Sequence, residues 1–141
     1  MGSAKIVAGM DSGGSPRLEV TIKGKYKSIG AGAVVDTGFT GDVVIPEDKA
    51  LSIGLDTGGA AAITLADGSA STVQLYLCKV KIGDIEQNAA AIVMGSDVLI
   101  GMGLLSPFDV CFRSGTQEVI ITPQPALADF VGVLHRLTEV T

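Results

Sequence analysis

The chain has 141 residues, 47% of them hydrophobic and 18% charged, with a formal charge of −5. That length and composition describe one globular domain with its own core and exclude a disordered chain. The acidic balance, with no run of Lys and Arg, argues against a nucleic-acid partner, which needs a basic patch.

Targeting signals are absent from the pattern as read. The N-terminus lacks the charged, apolar and small-residue zones of a secretory signal, and Ile6 stands where a myristoylation motif needs Ser or Thr. The longest apolar stretch, residues 89–105, is broken by Ser96, Asp97 and three glycines. It falls short of the roughly 18 uninterrupted apolar residues of a membrane span. Cys78 and Cys111 both lie in apolar, strand-like runs and are expected as buried free thiols of a reducing compartment. These features predict a cytoplasmic protein with no membrane partner.

In chain order, Leu18-Glu19-Val20-Thr21-Ile22-Lys23 alternates apolar and polar residues, as in a strand with one buried face. Gly24-Lys25 turns the chain, and Ala31-Gly32-Ala33-Val34-Val35 runs apolar into Asp36-Thr37-Gly38. Val43-Val44-Ile45 is a further strand, and Pro46-Glu47-Asp48 reads as the first turn of a short helix, with proline suited to the first helical position. Ile63, Leu65, Val73, Leu75 and Leu77 alternate on either side of Asp67-Gly68, a strong hairpin signal. The second arm runs on through Val80 and Ile82 to a turn at Gly83-Asp84, and residues 85–94 read as the next strand. Val98-Leu99-Ile100 meets Gly101, and Val110-Cys111-Phe112 and Glu118-Val119-Ile120-Ile121 complete the strands. After Pro125, Leu127, Phe130, Val131, Leu134 and Leu137 recur at helical spacing and predict an amphipathic C-terminal helix.

The tripeptide Asp-Thr-Gly occurs twice, at Asp36 and at Asp56. The first leaves a β-branched apolar run and is followed by Phe39-Thr40-Gly41, so its carboxylate sits on a sharp turn among small residues. The second lies between Leu51-Ser52-Ile53-Gly54-Leu55 and Gly59-Ala60-Ala61, the composition of a mobile connection, and Asp56 is expected to be a turn aspartate. Other chemistries lack their residues. His135 is the only histidine, the two cysteines have no zinc-ligand spacing, and no serine stands in a Gly-x-Ser-x-Gly elbow. No glycine-rich piece carries the lysine of a phosphate-binding loop. No metal and no organic cofactor is expected.

The run Ala33-Val34-Val35-Asp36-Thr37-Gly38-Phe39-Thr40-Gly41 resembles the active-site loop of retropepsin-like aspartic proteases. Thr64-Leu65-Ala66-Asp67-Gly68-Ser69 resembles the tip of that family's flap hairpin. Leu99-Ile100-Gly101 resembles the element threading behind the loop, and Gly101-Met102-Gly103-Leu104-Leu105-Ser106 the short helix after it. The similarity spans residues 17–122 and is greatest to the bacterial and archaeal single-lobe members. It divides the chain into an N-terminal segment (1–16), a protease domain (17–122) and a helical extension (123–141).

The resemblance implies an all-β, partly closed barrel of the acid-protease type. It implies a homodimer in which Asp36 pairs with its own copy, because hydrolysis by this route needs two carboxyl groups and one lobe supplies one. Thr37 would then bond across the dimer axis, Gly38 would line the channel, and Leu65, Ala66, Asp67 and Gly68 would lie over an extended peptide or protein substrate. Retroviral members pair an Asp where Thr40 stands with an Arg where Met102 stands; both charges are missing here. Single-lobe relatives often carry Asp or Asn where Gly103 stands, which leaves open how the short helix is capped. The alternative reading is a catalytically inactive protease-fold domain serving as a dimerisation or peptide-binding module.

Overall fold

The computed structural model describes residues 5–124. Alternation sets the first large element. In β2 (Arg17–Lys23), Leu18, Val20 and Ile22 are buried while Glu19, Thr21 and Lys23 face solvent. β3 (Ser28–Val35) pairs with β2 antiparallel from Arg17↔Val34 to Lys23↔Ser28. Their connection begins at Gly24, where a side chain would strike the carbonyls of Ile53 and Gly54. That close approach lets the Lys25 and Tyr26 N–H groups donate to the Gly54 and Ile53 carbonyls, at 2.6 and 2.8 Å. The turn of one hairpin thereby caps the C-terminus of α1 (Glu47–Ile53), whose first turn carries Glu47 and Asp48 at the positive end of the dipole. Pro46 is the residue just before that helix, not its first member.

Between them lies β4 (Val43–Ile45), buried throughout. β5 (Asp56–Thr64) and β6 (Ala70–Ile82) form a long hairpin, and β7 (Ile85–Val93) returns along β6 from Ile82↔Ile85 to Leu75↔Ile92. β8 (Leu99–Ile100) inserts parallel to β3 and antiparallel to β4, and β4 runs parallel to β7. The strand order β2-β3-β8-β4-β7-β6-β5 closes on itself because β2 also pairs with β6 through Thr21↔Lys81 to Lys23↔Lys79. The result is an all-β, partly closed barrel. Ile22, Ile45, Ile53, Val80, Ile82 and Ile100 are fully buried in its core.

A second sheet, of order β1-β10-β9, closes one end, with β1 (Ile6–Gly9), β9 (Phe108–Arg113) and β10 (Glu118–Pro123). α2 (Met102–Leu105) joins the two sheets and buries Leu104 and Leu105.

Several expectations change. Asp56 is the first residue of β5, opposite Leu77, not a turn residue in a mobile connection. The Gly-Gly-Ala-Ala-Ala tract hides this strand because β5 is held on one side only, by β6, and buries none of its side chains. Cys111 is exposed, on the outward side of β9, whereas Cys78 is buried; both are free thiols. β7 ends at Val93, one residue early. β1 was not expected from its four residues, and it owes its conformation to pairing with β10. The expected C-terminal helix lies outside the described residues.

Candidate active-site loop

Asp36 is the first residue beyond β3, and its position follows from where β3 stops. The Val34 N–H donates to the Val98 carbonyl (2.8 Å), the Val35 N–H to Pro16 (2.9 Å) and the Asp36 N–H to Ile100 (2.9 Å). Beyond this point the chain folds back on itself. The Gly38 N–H donates to Asp36 Oδ1 at 3.0 Å and the Phe39 N–H to the Asp36 carbonyl at 3.2 Å. A side chain at Gly38 would sit 3.3 Å from Asp36 Oδ1, so glycine keeps the carboxylate uncrowded. Asp36 is half-buried and Thr37 and Gly38 are exposed. Among the described residues, no Lys or Arg comes within ion-pair distance of Asp36, and the Thr37 hydroxyl has no hydrogen-bond partner.

The far side of the loop is held by the first residues of α2. The N–H groups of Gly101, Met102 and Gly103 donate to the carbonyls of Asp42, Phe39 and Gly41 at 2.9, 2.8 and 3.0 Å. This answers how α2 is capped without an Asp or Asn at position 103. The orphan N–H groups of its first turn are satisfied by loop carbonyls and need no side chain. Both glycines are required by the closeness of the two segments. A side chain at Gly101 would strike the Gly41 carbonyl and the Phe39 ring, and one at Gly103 would strike the Asp42 carboxylate.

Asp42 is the site residue that sequence reasoning missed. Its Oδ2 accepts the Ala90 N–H at 2.9 Å and so ties the loop to β7. The available signal was a carboxylate at the mouth of the buried run Val43-Val44-Ile45, where an unpaired charge would be costly.

Leu65, Ala66, Asp67 and Gly68 group separately, all exposed, at the end of the β5–β6 hairpin. Gly68 has φ +88°, which explains glycine there. The Leu65 N–H donates to the Ser69 carbonyl at 2.7 Å, and Asp67 Oδ1 accepts the Ser69 N–H (2.9 Å) and hydroxyl (2.6 Å). Those bonds, the hydroxyl's first, hold the Asp67 carboxyl below its ordinary range. No hydrogen bond links this tip to the Asp36 loop among the described residues. A cleft of about 760 Å³ lies elsewhere, between α1, the β5–β6 hairpin and the end of β7, and Asp36 does not line it. Among the described residues, the Asp56 carboxylate has one ion pair, an exposed one with Lys25 at 3.5 Å. Among the described residues no three His, Cys, Asp or Glu side chains cluster as metal ligands, and no helix is long and apolar enough to cross a membrane.

The family described as "gag-polyprotein putative aspartyl protease" matches residues 18–107, more than half of the chain. The chain belongs to this aspartyl protease family. Within the family match lie the Asp36 loop, the β5–β6 hairpin, β8 and α2. Among solved structures, the chain is similar to a retropepsin-like aspartic protease from Rickettsia conorii. The TM-score is 0.62 at 20% identity, over 87% of this chain and 93% of that one. Nothing among curated proteins matches. The fold of this aspartyl protease family member is therefore retropepsin-like, with β8 and α2 behind the Asp36 loop.

Proposed function

We propose that the protein is a homodimeric aspartic endopeptidase whose two Asp36 side chains meet on a two-fold axis. The observation that carries this reading is the Asp36 turn itself. A half-buried carboxylate stands at the exposed end of a buried strand, on a loop braced from behind by α2. Each chain offers one such carboxylate, and a pair needs two copies.

Two carboxyl groups at close range cannot both ionise cheaply, so the pair holds one proton between them, as in aspartic proteases generally. The ionised member takes a proton from water as the oxygen attacks the scissile carbonyl carbon, and the protonated member gives its proton to the carbonyl oxygen. Collapse of the resulting diol breaks the C–N bond, with a proton passing to the departing amine. The unpartnered Thr37 hydroxyl supports a role in bracing one loop against the other. The exposed tip of Leu65, Ala66, Asp67 and Gly68 supports a flap over an extended peptide, bound by strand-like main-chain bonds.

The test is cleavage of a diverse peptide mixture from mildly acidic to neutral pH by the wild type, Asp36→Asn and Asp56→Asn. Loss of about 10²–10⁴-fold in Asp36→Asn, with Asp56→Asn near wild type, is the expected result, the size being that of acid–base catalysis. Folded, dimeric wild type that neither cleaves nor binds a pepstatin-type inhibitor would sink the reading and leave a binding module.

A further inference from the structure

The β5–β6 hairpin is unevenly supported along its length. β7 pairs with β6 from Ile82 only as far as Leu75, which stands opposite Ile92. β2 also meets β6, but at Lys79 to Lys81. Beyond Leu75 the hairpin is a two-stranded ribbon, residues 60–64 against 70–74, joined by the tip at 65–69. No side chain from 60 to 74 is buried, whereas Cys78, Val80 and Ile82 farther along β6 belong to the core. A two-stranded ribbon alone is marginally stable, and a unit with few buried contacts opens without the rest of the fold.

The register of β5 on β6 breaks at the same level. Thr57 stands opposite Tyr76 and Ala60 opposite Gln74, so Gly58 and Gly59 together face the single residue Leu75. Two residues against one make a β-bulge, which interrupts the ladder and bends the strand. The two glycines differ. A side chain at Gly58 would strike that of Leu77, so this residue lies against the supported part of β6. Gly59 has φ +101°, a conformation suited to glycine, and a side chain there would meet nothing within 4 Å. Across the bulge, the Gln74 side-chain amide donates to the Gly59 carbonyl and, at 2.9 Å, to the Leu75 carbonyl. One exposed side chain thus ties the bulge to the last β6 residue that β7 supports. Val73 and Gln74 also line the cleft beside α1, with Glu47, Leu51 and Met94 among its other walls, so the ribbon has open space next to it.

We propose that Gly58-Gly59 is a hinge on which residues 60–74 swing as one arm, and that Gln74 is the positioning residue that latches the arm in place. Sheet support, register and glycine conformation all change within one or two residues of the level of Leu75. The swing belongs to the microsecond-to-millisecond class of hinge motions. Its consequence for catalysis rests on the reading of the hairpin tip as a flap, with Gln74 setting how readily the site opens to a peptide; the motion itself does not rest on it.

Relaxation dispersion of the backbone amide nitrogens in the full-length protein tests this. Residues 60–64 and 70–74 should share one exchange process, and residues 77–82 should lack it. Exchange confined to the tip at 65–69, or running on through β6 to Ile82, overturns the hinge. Gln74→Glu keeps the size of the side chain but removes its N–H donors. It should raise the population of the open state about fivefold, the size expected of lost exposed hydrogen bonds. Gln74→Lys restores a donor of sufficient reach and should stay near the wild type. An unchanged population in Gln74→Glu, or equal rises in the two variants, rules out the latch. Thermal melts establish that the comparison is made on folded protein. Peptide cleavage is scored separately. A shared exchange in protein that cleaves nothing upholds the hinge and sinks the peptidase reading; cleavage by protein without that exchange does the reverse.

Discussion

The carboxylate of Asp42 accepts the main-chain N–H of Ala90 at 2.9 Å, joining residues 48 positions apart. The same residue's carbonyl accepts the Gly101 N–H, so Asp42 links β7 and α2 at the end of the Asp36 loop. Removing it as Asp42→Ala leaves the Ala90 N–H without its partner, at a cost of about 1–3 kcal/mol. Asp42→Asn keeps an acceptor oxygen and should cost less. Denaturant unfolding of the three proteins would decide, and equal stability of Asp42→Ala and wild type would contradict the role.

Gly101→Ala forces a methyl against the Gly41 carbonyl and the Phe39 ring, neither of which is a flexible side-chain end. Overpacking of this kind costs about 1–3 kcal/mol or more. The shift would also move the Asp36 turn, so activity should fall further than the folded fraction does. Gly103→Ala meets the Asp42 carboxylate instead, and combining it with Asp42→Ala should recover part of the loss. Additive melting-temperature losses would rule out that coupling.

The tip of the β5–β6 hairpin should loosen in acid. Bonds from the Ser69 hydroxyl and N–H lower the Asp67 carboxyl, so the folded state favours the charged form. That support is present above the ordinary aspartate range near pH 4 and is lost as pH falls through the lowered folded value. The Ser69 amide resonance should therefore titrate at lower pH in the protein than in an unstructured peptide of the same sequence. Coincident titrations would contradict the turn geometry.

Cys78 should be inert. Burial, with the nearby Asp42 charge adding to it, pushes its thiol up to about 11. From a usual value of 9.0, that is roughly a hundredfold less thiolate at pH 8. In a Cys111→Ser chain, a thiol reagent should react with folded protein at least that much more slowly than with unfolded protein. Modification of native protein at the unfolded rate would show the thiol to be accessible.

Much of this architecture was legible because local pattern and final environment agree. Leu18, Val20 and Ile22 alternate in sequence and are buried in the structure, and the Asp67-Gly68 pair marks a hairpin whose two arms do pair. Asp36 stood out because a buried strand feeds it. Three of the misses share one cause, dependence on a distant partner. The Gly-Gly-Ala-Ala-Ala tract becomes strand only against β6, residues 6–9 only against β10, and Asp42 gains its role only from Ala90. Cys111 was misjudged because apolar neighbours in sequence do not reveal which face of a strand looks outward.

The bonds that brace the Asp36 turn against β8 and α2 run from peptide N–H to peptide carbonyl. Such a framework is indifferent to most side-chain identities, and demands only glycine where the segments touch. Thr40 and Met102 project from it, both exposed. They are free to drift over evolutionary time without displacing the carboxylate. A lineage can thus retune the surroundings of Asp36 by single substitutions while inheriting its placement unchanged.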